Sequence, residues 1–127
     1  MTNFEGQVNF DSKIENRDYP GVIDILATEL NQKLNQERSE ILLVDVRQPD
    51  EFSGELGHIP GAQLIPLATL PEEIEKLPNK RTIVFVCRSG GRSGRACAFA
   101  LQYGLDDVYN LKGGMIHWNE LNFETEN

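Results

Sequence analysis

The chain has 127 residues, 39% hydrophobic and 25% charged, the make-up of a globular domain that can bury one core without disulfides or metals. Acidic residues outnumber basic ones by 20 to 12, a net charge of −8, which argues against a nucleic-acid binder that must neutralise phosphates. With only two cysteines, no signal-peptide pattern and no apolar run of ~18 residues, a cytoplasmic protein with no membrane contact is expected.

Residues 1–20 are mostly polar, with Phe4, Val8, Phe10 and Ile14 scattered among them. They read as an irregular N-terminal extension, either packed on the domain by its aromatics or mobile. Asp24 is placed to cap a helix in which Leu26, Leu30 and Leu34 share one face. Ile41-Leu42-Leu43-Val44-Asp45-Val46 reads as a buried strand, Pro49 to Phe52 as a helical turn, and Gly57 to Gly61 as a loop. A short strand follows over Ala62 to Ile65, then a helix over Pro71 to Leu77 with proline and acids in its first turn.

Thr82 to Val86 is the strongest strand signal and runs straight into Cys87. Ala96, Phe99, Ala100 and Tyr103 mark a helix ending at Gly104. Val108 to Leu111 is a last strand, and a final helix carries Met115, Trp118 and Leu121. Strands alternating with helices at these spacings imply a parallel sheet covered on both faces.

The chemistry concentrates in Cys87-Arg88-Ser89-Gly90-Gly91-Arg92-Ser93. A strand, a glycine-bearing loop and a helix N-terminus let several backbone N–H groups converge on an anion. The cysteine at the strand end would face the centre of that cradle, and Arg88 and Arg92 add positive charge. All these effects favour an anionic sulfur. Cys87 is therefore the candidate nucleophile, and the backbone of Ser89 to Ser93 the candidate cradle. Arg88 is assigned to an anionic substrate, and Arg92 either to the same task or to bracing the loop. Several anions would suit such a site.

That loop resembles the active loop of rhodanese-homology domains. Asp45-Val46-Arg47, Glu51-Phe52 and Gly57-His58-Ile59-Pro60-Gly61-Ala62 resemble the family's central signature, and Val108-Tyr109-Asn110-Leu111, Gly113-Gly114 and Trp118 its C-terminal one. The resemblance places a rhodanese-like domain over residues 21–122, between the extension 1–20 and a tail 123–127. It implies an α/β fold with a five-stranded parallel sheet and helices on both faces. It also implies sulfur transfer without metal or organic cofactor. Cys87 would take sulfur from a small anionic donor such as thiosulfate, carry it as a persulfide, and pass it to a thiol, cyanide or a protein cysteine.

Two other functions compete. One is a sulfur-relay or protein-interaction module with weak activity on small donors. The other is a phosphatase or arsenate reductase, whose loop sets five residues between cysteine and arginine; here four separate Cys87 from Arg92, and Ser93 occupies the next place. No acid in the loop stands ready to protonate an alkoxide leaving group.

The remaining candidates read as structural. Asp45 and Arg47 support the loop from the neighbouring strand end. His58 is a satisfied structural histidine rather than a Cys–His base. His117 lies on the surface. Cys97 is a small buried hydrophobe rather than a resolving thiol.

Overall fold

The structure, a computed structural model, describes residues 8–78 and 80–127; Phe4 lies outside them. Its centre is β5 (Thr82–Val86), five consecutive buried residues flanked in parallel by β3 (Ile41–Asp45) and β6 (Val108–Leu111). Branched apolar residues such as Ile83, Val84 and Val86 suit a strand buried on both faces. β4 (Gln63–Leu64) pairs with β3 on one side, and β2 (Ile23–Ile25) pairs with β6 on the other. These five strands are parallel, as the resemblance implies. A sixth strand, β1 (Ile14–Glu15), joins the outer edge antiparallel to β2, so the sheet order is β1-β2-β6-β5-β3-β4.

Strand periodicity sends successive side chains to opposite faces and thereby builds two cores. Ile83, Phe85 and Cys87 face one way, toward α3 (Leu70–Glu73) and α4 (Gly91–Tyr103), where Leu70, Ile74, Ala96 and Ala100 close over them. Val84 and Val86 face α1 (Ala27–Glu37) and α5 (Gly114–Glu120), against Leu30, Leu34, Met115 and Trp118. Each fully buried Leu or Ile contributes about 1.5–3 kcal/mol relative to exposure.

The first helix departs from expectation. Asp24 does not cap it: Asp24 lies within β2, α1 starts at Ala27, and Leu26 holds the cap position without a side-chain hydrogen bond. Ile23 and Ile25 draw this stretch onto the sheet edge, where Ile25 pairs with Leu111. Leu30 and Leu34 are buried, but Leu26 precedes the helix and stays exposed. The helix expected from Pro71 to Leu77 is α3 followed by a tighter 3-10 turn over Ile74–Lys76. α4 ends at Gly104 in the left-handed conformation, as the glycine there predicts.

The segment before β1 packs on the domain from Val8 onward. Val8 and Phe10 are buried in the α1/α5 core, and Phe10 meets the Tyr109 ring edge-on at 5.0 Å. The Val8 N–H donates to Thr82 Oγ1 at 2.7 Å, and the Asp11 and Ser12 N–H groups donate to the Glu29 carboxylate at 2.6 and 2.7 Å. These contacts satisfy backbone groups that an unanchored tail would leave to water.

Candidate active site

Cys87 follows β5 directly and is 1% exposed. Its Sγ accepts two hydrogen bonds, from the Gly90 N–H at 3.0 Å and from the Ser93 hydroxyl at 3.2 Å. Gly90 turns the chain with φ +108, a value that excludes most other residues, and α4 starts one residue later. The 13-residue helix directs its partial positive charge at the sulfur. One end of the loop is thus a donor set built for an anionic sulfur.

The carbonyl side of the loop is held by α5. The Met115 and Ile116 N–H groups donate to the Cys87 and Arg88 carbonyls at 2.9 and 3.0 Å. That approach requires Gly114: a Cβ there would lie 2.5 Å from both carbonyl oxygens. The Gly113-Gly114 pair is therefore a seat for the cysteine loop.

The two loop arginines separate. Arg92 grips Glu51 of α2 (Pro49–Phe52) through both arms, at 2.8 Å each. The guanidinium hydrogen bonds hold the Glu51 carboxyl at about 2, against the desolvation that raises it, and the Gln48 N–H adds a further bond. Arg92 thus braces the loop. Arg88 is exposed and lines a groove of about 160 Å³ with Arg47, Glu51, Glu55 and Leu56. Ser89 and Gly91 are exposed and line a separate groove with Asn16, Arg17, Asp18 and Lys112.

Asp45 and Arg47 form a buried two-pronged pair at 2.9 and 2.8 Å, and Arg47 also donates to the Gly57 carbonyl at 2.7 Å. They tie the end of β3 to the loop that carries His58. His58 stacks on Phe52 with ring centres 3.6 Å apart, and its Nδ1 lies 2.8 Å from the Phe52 carbonyl, which can only accept. Its Nε2 faces Glu126 at 3.4 Å. His58 has no contact with Cys87. His117 is half exposed and meets Glu120 at 3.0 Å. Cys97 is fully buried in α4; burial, with Asp24 and Cys87 nearby, pushes its thiol well up.

Sequence reasoning missed one part of the site. The Ser93 oxygen also lies within hydrogen-bond reach of Asn110 Oδ1, a second acceptor for its single proton. The Asn110 amide donates to Asp24 Oδ1 at 2.9 Å and to the Gly90 carbonyl at 3.2 Å. Asn16, beside β1, donates to the same Asp24 oxygen at 2.9 Å. A signal existed: Asn is disfavoured in strands, yet Asn110 sits inside one.

An α/β sheet with a cysteine loop at the carboxyl end of its central strand, capped by a helix N-terminus, defines the class. The model of the Rhodanese-like domain family matches residues 26–121, and the chain belongs to that family. Among its relatives, a sulfurtransferase of Allochromatium vinosum is 40% identical over 97 residues, 76% of this chain and 88% of that protein. The thiosulfate sulfurtransferase GlpE of Shewanella oneidensis is 35% identical over 86 residues, 68% of this chain and 83% of its own. The crystal structure of a rhodanese-like domain protein from Staphylococcus aureus aligns with TM-score 0.70 and 32% identity, covering 82% of this chain and 98% of that one. The family and these sulfurtransferase relatives make the chain a rhodanese-type transferase at the family level. Among the described residues no helix is long and apolar enough to cross a membrane.

Proposed function

We propose that the protein moves sulfane sulfur from thiosulfate, or a similar small anionic donor, to a thiophilic acceptor through a persulfide on Cys87. The observation that carries this reading is the pair of hydrogen bonds from Gly90 and Ser93 onto Cys87 Sγ at the start of α4. In the first half-reaction the Cys87 thiolate attacks the outer sulfur of thiosulfate. The donor's S–S bond breaks, and sulfite leaves with the electron pair. In the second, cyanide or a thiolate attacks the outer sulfur of the persulfide and Cys87 departs as the thiolate. No metal or organic cofactor takes part. Arg88, exposed at the mouth, serves as the docking charge for the donor, and the backbone of Ser89 to Ser93 as the cradle, with Asp45 and Arg47 as support behind it. The reacting unit is residues 21–122, braced by the extension before it, and its free thiols suit a reducing cytoplasm.

The Arg92–Glu51 pair weighs against phosphatase or arsenate reductase chemistry. A guanidinium committed to a carboxylate on α2 is not free to clasp a tetrahedral oxyanion. Mass spectrometry after thiosulfate treatment should show one added sulfur, absent in Cys87→Ser. Absence of any sulfur adduct with thiosulfate and with other sulfane donors would overturn the proposal.

A second reading has its own support. The groove at the mouth holds Asp50, Glu51 and Glu55 beside Arg88, on a chain of net charge −8. Those acids weaken the attraction for a free dianion and suit a basic partner protein that delivers or collects the sulfur. Under that reading, Asp50→Asn/Glu55→Gln lowers the thiosulfate KM several-fold. An unchanged KM would remove its support.

A further inference from the structure

The polar chain behind Cys87 has a donor count that does not close, and the mismatch has a direction. The Asn110 side chain carries two N–H donors and one acceptor oxygen. Both donors are taken, one by Asp24 and one by the Gly90 carbonyl, so the oxygen must face Ser93. Asp24 is itself fixed by Asn16. The amide therefore cannot turn over. Ser93 is fully buried and has one hydroxyl proton. Two acceptors lie within its reach, Cys87 Sγ and Asn110 Oδ1.

The sulfur's need for that proton changes through the reaction. A bare thiolate is an anionic acceptor and draws the hydroxyl. In a persulfide the charge sits on the outer sulfur, and Sγ becomes an uncharged divalent atom that accepts poorly. The hydroxyl then needs another acceptor, and Asn110 Oδ1 supplies it. A buried hydroxyl without one would carry a desolvation penalty. Asn110 thus competes with the bare thiolate and satisfies the loaded form.

We propose that Asn110, pinned by Asp24, is a positioning residue of the sulfur cycle: by offering the Ser93 hydroxyl a second acceptor, it favours the sulfur-loaded cysteine over the bare thiolate. This deepens the proposed function and rests on Cys87 as the reacting sulfur. Asp24 and Asn16 precede residue 26, where the family match begins, so this pin comes from the segment outside the match.

The test uses an isosteric pair. Val and Thr have nearly the same shape and both suit a strand, but only Thr offers an oxygen. In Asn110→Val the ultraviolet thiolate absorbance at neutral pH, read without any sulfur donor, should rise. Persulfide loading by thiosulfate at equilibrium should fall about fivefold, the worth of one hydrogen bond. Asn110→Thr should return both toward the parent protein. Ser93→Ala should move the absorbance the opposite way, because the sulfur then loses its donor. A merely structural Asn110 would alter melting temperature equally in Val and Thr variants and leave the absorbance unmoved; that result overturns the proposal. If Asn110→Val does not fold, Asp24→Asn keeps an acceptor oxygen but loosens the pin, and must raise the absorbance; no change there overturns it equally. Because the absorbance needs no donor, its failure is distinct from a failure of sulfur transfer.

Discussion

Arg92 and Glu51 face each other in a two-pronged ion pair, 2.8 Å on each arm, joining the cysteine loop to the helical turn after β3. The pair is partly exposed, with 36% and 27% of the two side chains open to solvent. Glu51→Gln keeps the shape and removes the charge. It should cost about 1 kcal/mol, the usual range for a well-formed pair near the surface. Sulfur transfer should slow about tenfold, because the brace positions the cysteine loop. Urea denaturation and steady-state kinetics check the two effects separately.

The same pair sets an acid response. Hydrogen bonds from Arg92 keep Glu51 ionised down to about 2, below its ordinary 4.5. A carboxylate whose value is lowered on folding contributes stability that is present above its unfolded value and lost as the pH falls through the folded one. The contribution is therefore complete above pH 4.5 and disappears toward pH 2. The stability difference between the parent protein and Glu51→Gln should shrink across that window in acid titrations followed by circular dichroism.

Asp45 and Arg47 are buried almost completely, 0% and 1% exposed. Removing one partner leaves a charge without compensation, so Asp45→Ala should cost about 3–5 kcal/mol. The double variant Asp45→Ala/Arg47→Met should recover part of that loss, because no lone charge remains. Chemical denaturation of the three proteins decides this.

Gly114 is the point where α5 touches the loop. A methyl group there would meet the Cys87 and Arg88 carbonyls at 2.5 Å, and φ +57 is unfavourable for alanine. Backbone must shift, so Gly114→Ala should reduce sulfur transfer by at least about tenfold. Gly91→Ala meets no atom within 4 Å and has an ordinary φ. It should leave the fold intact, making it the control for stability by thermal melting.

Phe10 tests the segment ahead of the sheet. It is 3% exposed and packs on Tyr109. Phe10→Ala should destabilise the protein by about 3 kcal/mol. Deleting residues 1–18 would strip Val8 and Phe10 from the core and Asn16 from Asp24, so loss of activity in that truncation would report unfolding. Hydrogen exchange at β6 amides checks the link, since Tyr109 lies in that strand.

Local patterns in the sequence determined most of the architecture. The runs Ile83 to Val86 and Ile41 to Val44 are apolar throughout and rich in branched residues, which suits strands buried on both faces, and both lie in strands here. Gly104 ends α4 because a left-handed residue follows the last turn. The cysteine loop was legible because glycines, arginines and a helix start sit within seven residues. Tertiary structure alone decided the partners of those residues. Arg92 chose Glu51, Ser93 gained Asn110, and Asp24 left its expected capping place to anchor Asn110 from β2. Each of these contacts joins residues at least 17 apart in the chain. Propensity and periodicity describe neighbours within a few residues, whereas these distances are closed by the order of strands in the sheet. The same order brings β2 and β6 together, and so sets Asp24 behind the sulfur of Cys87.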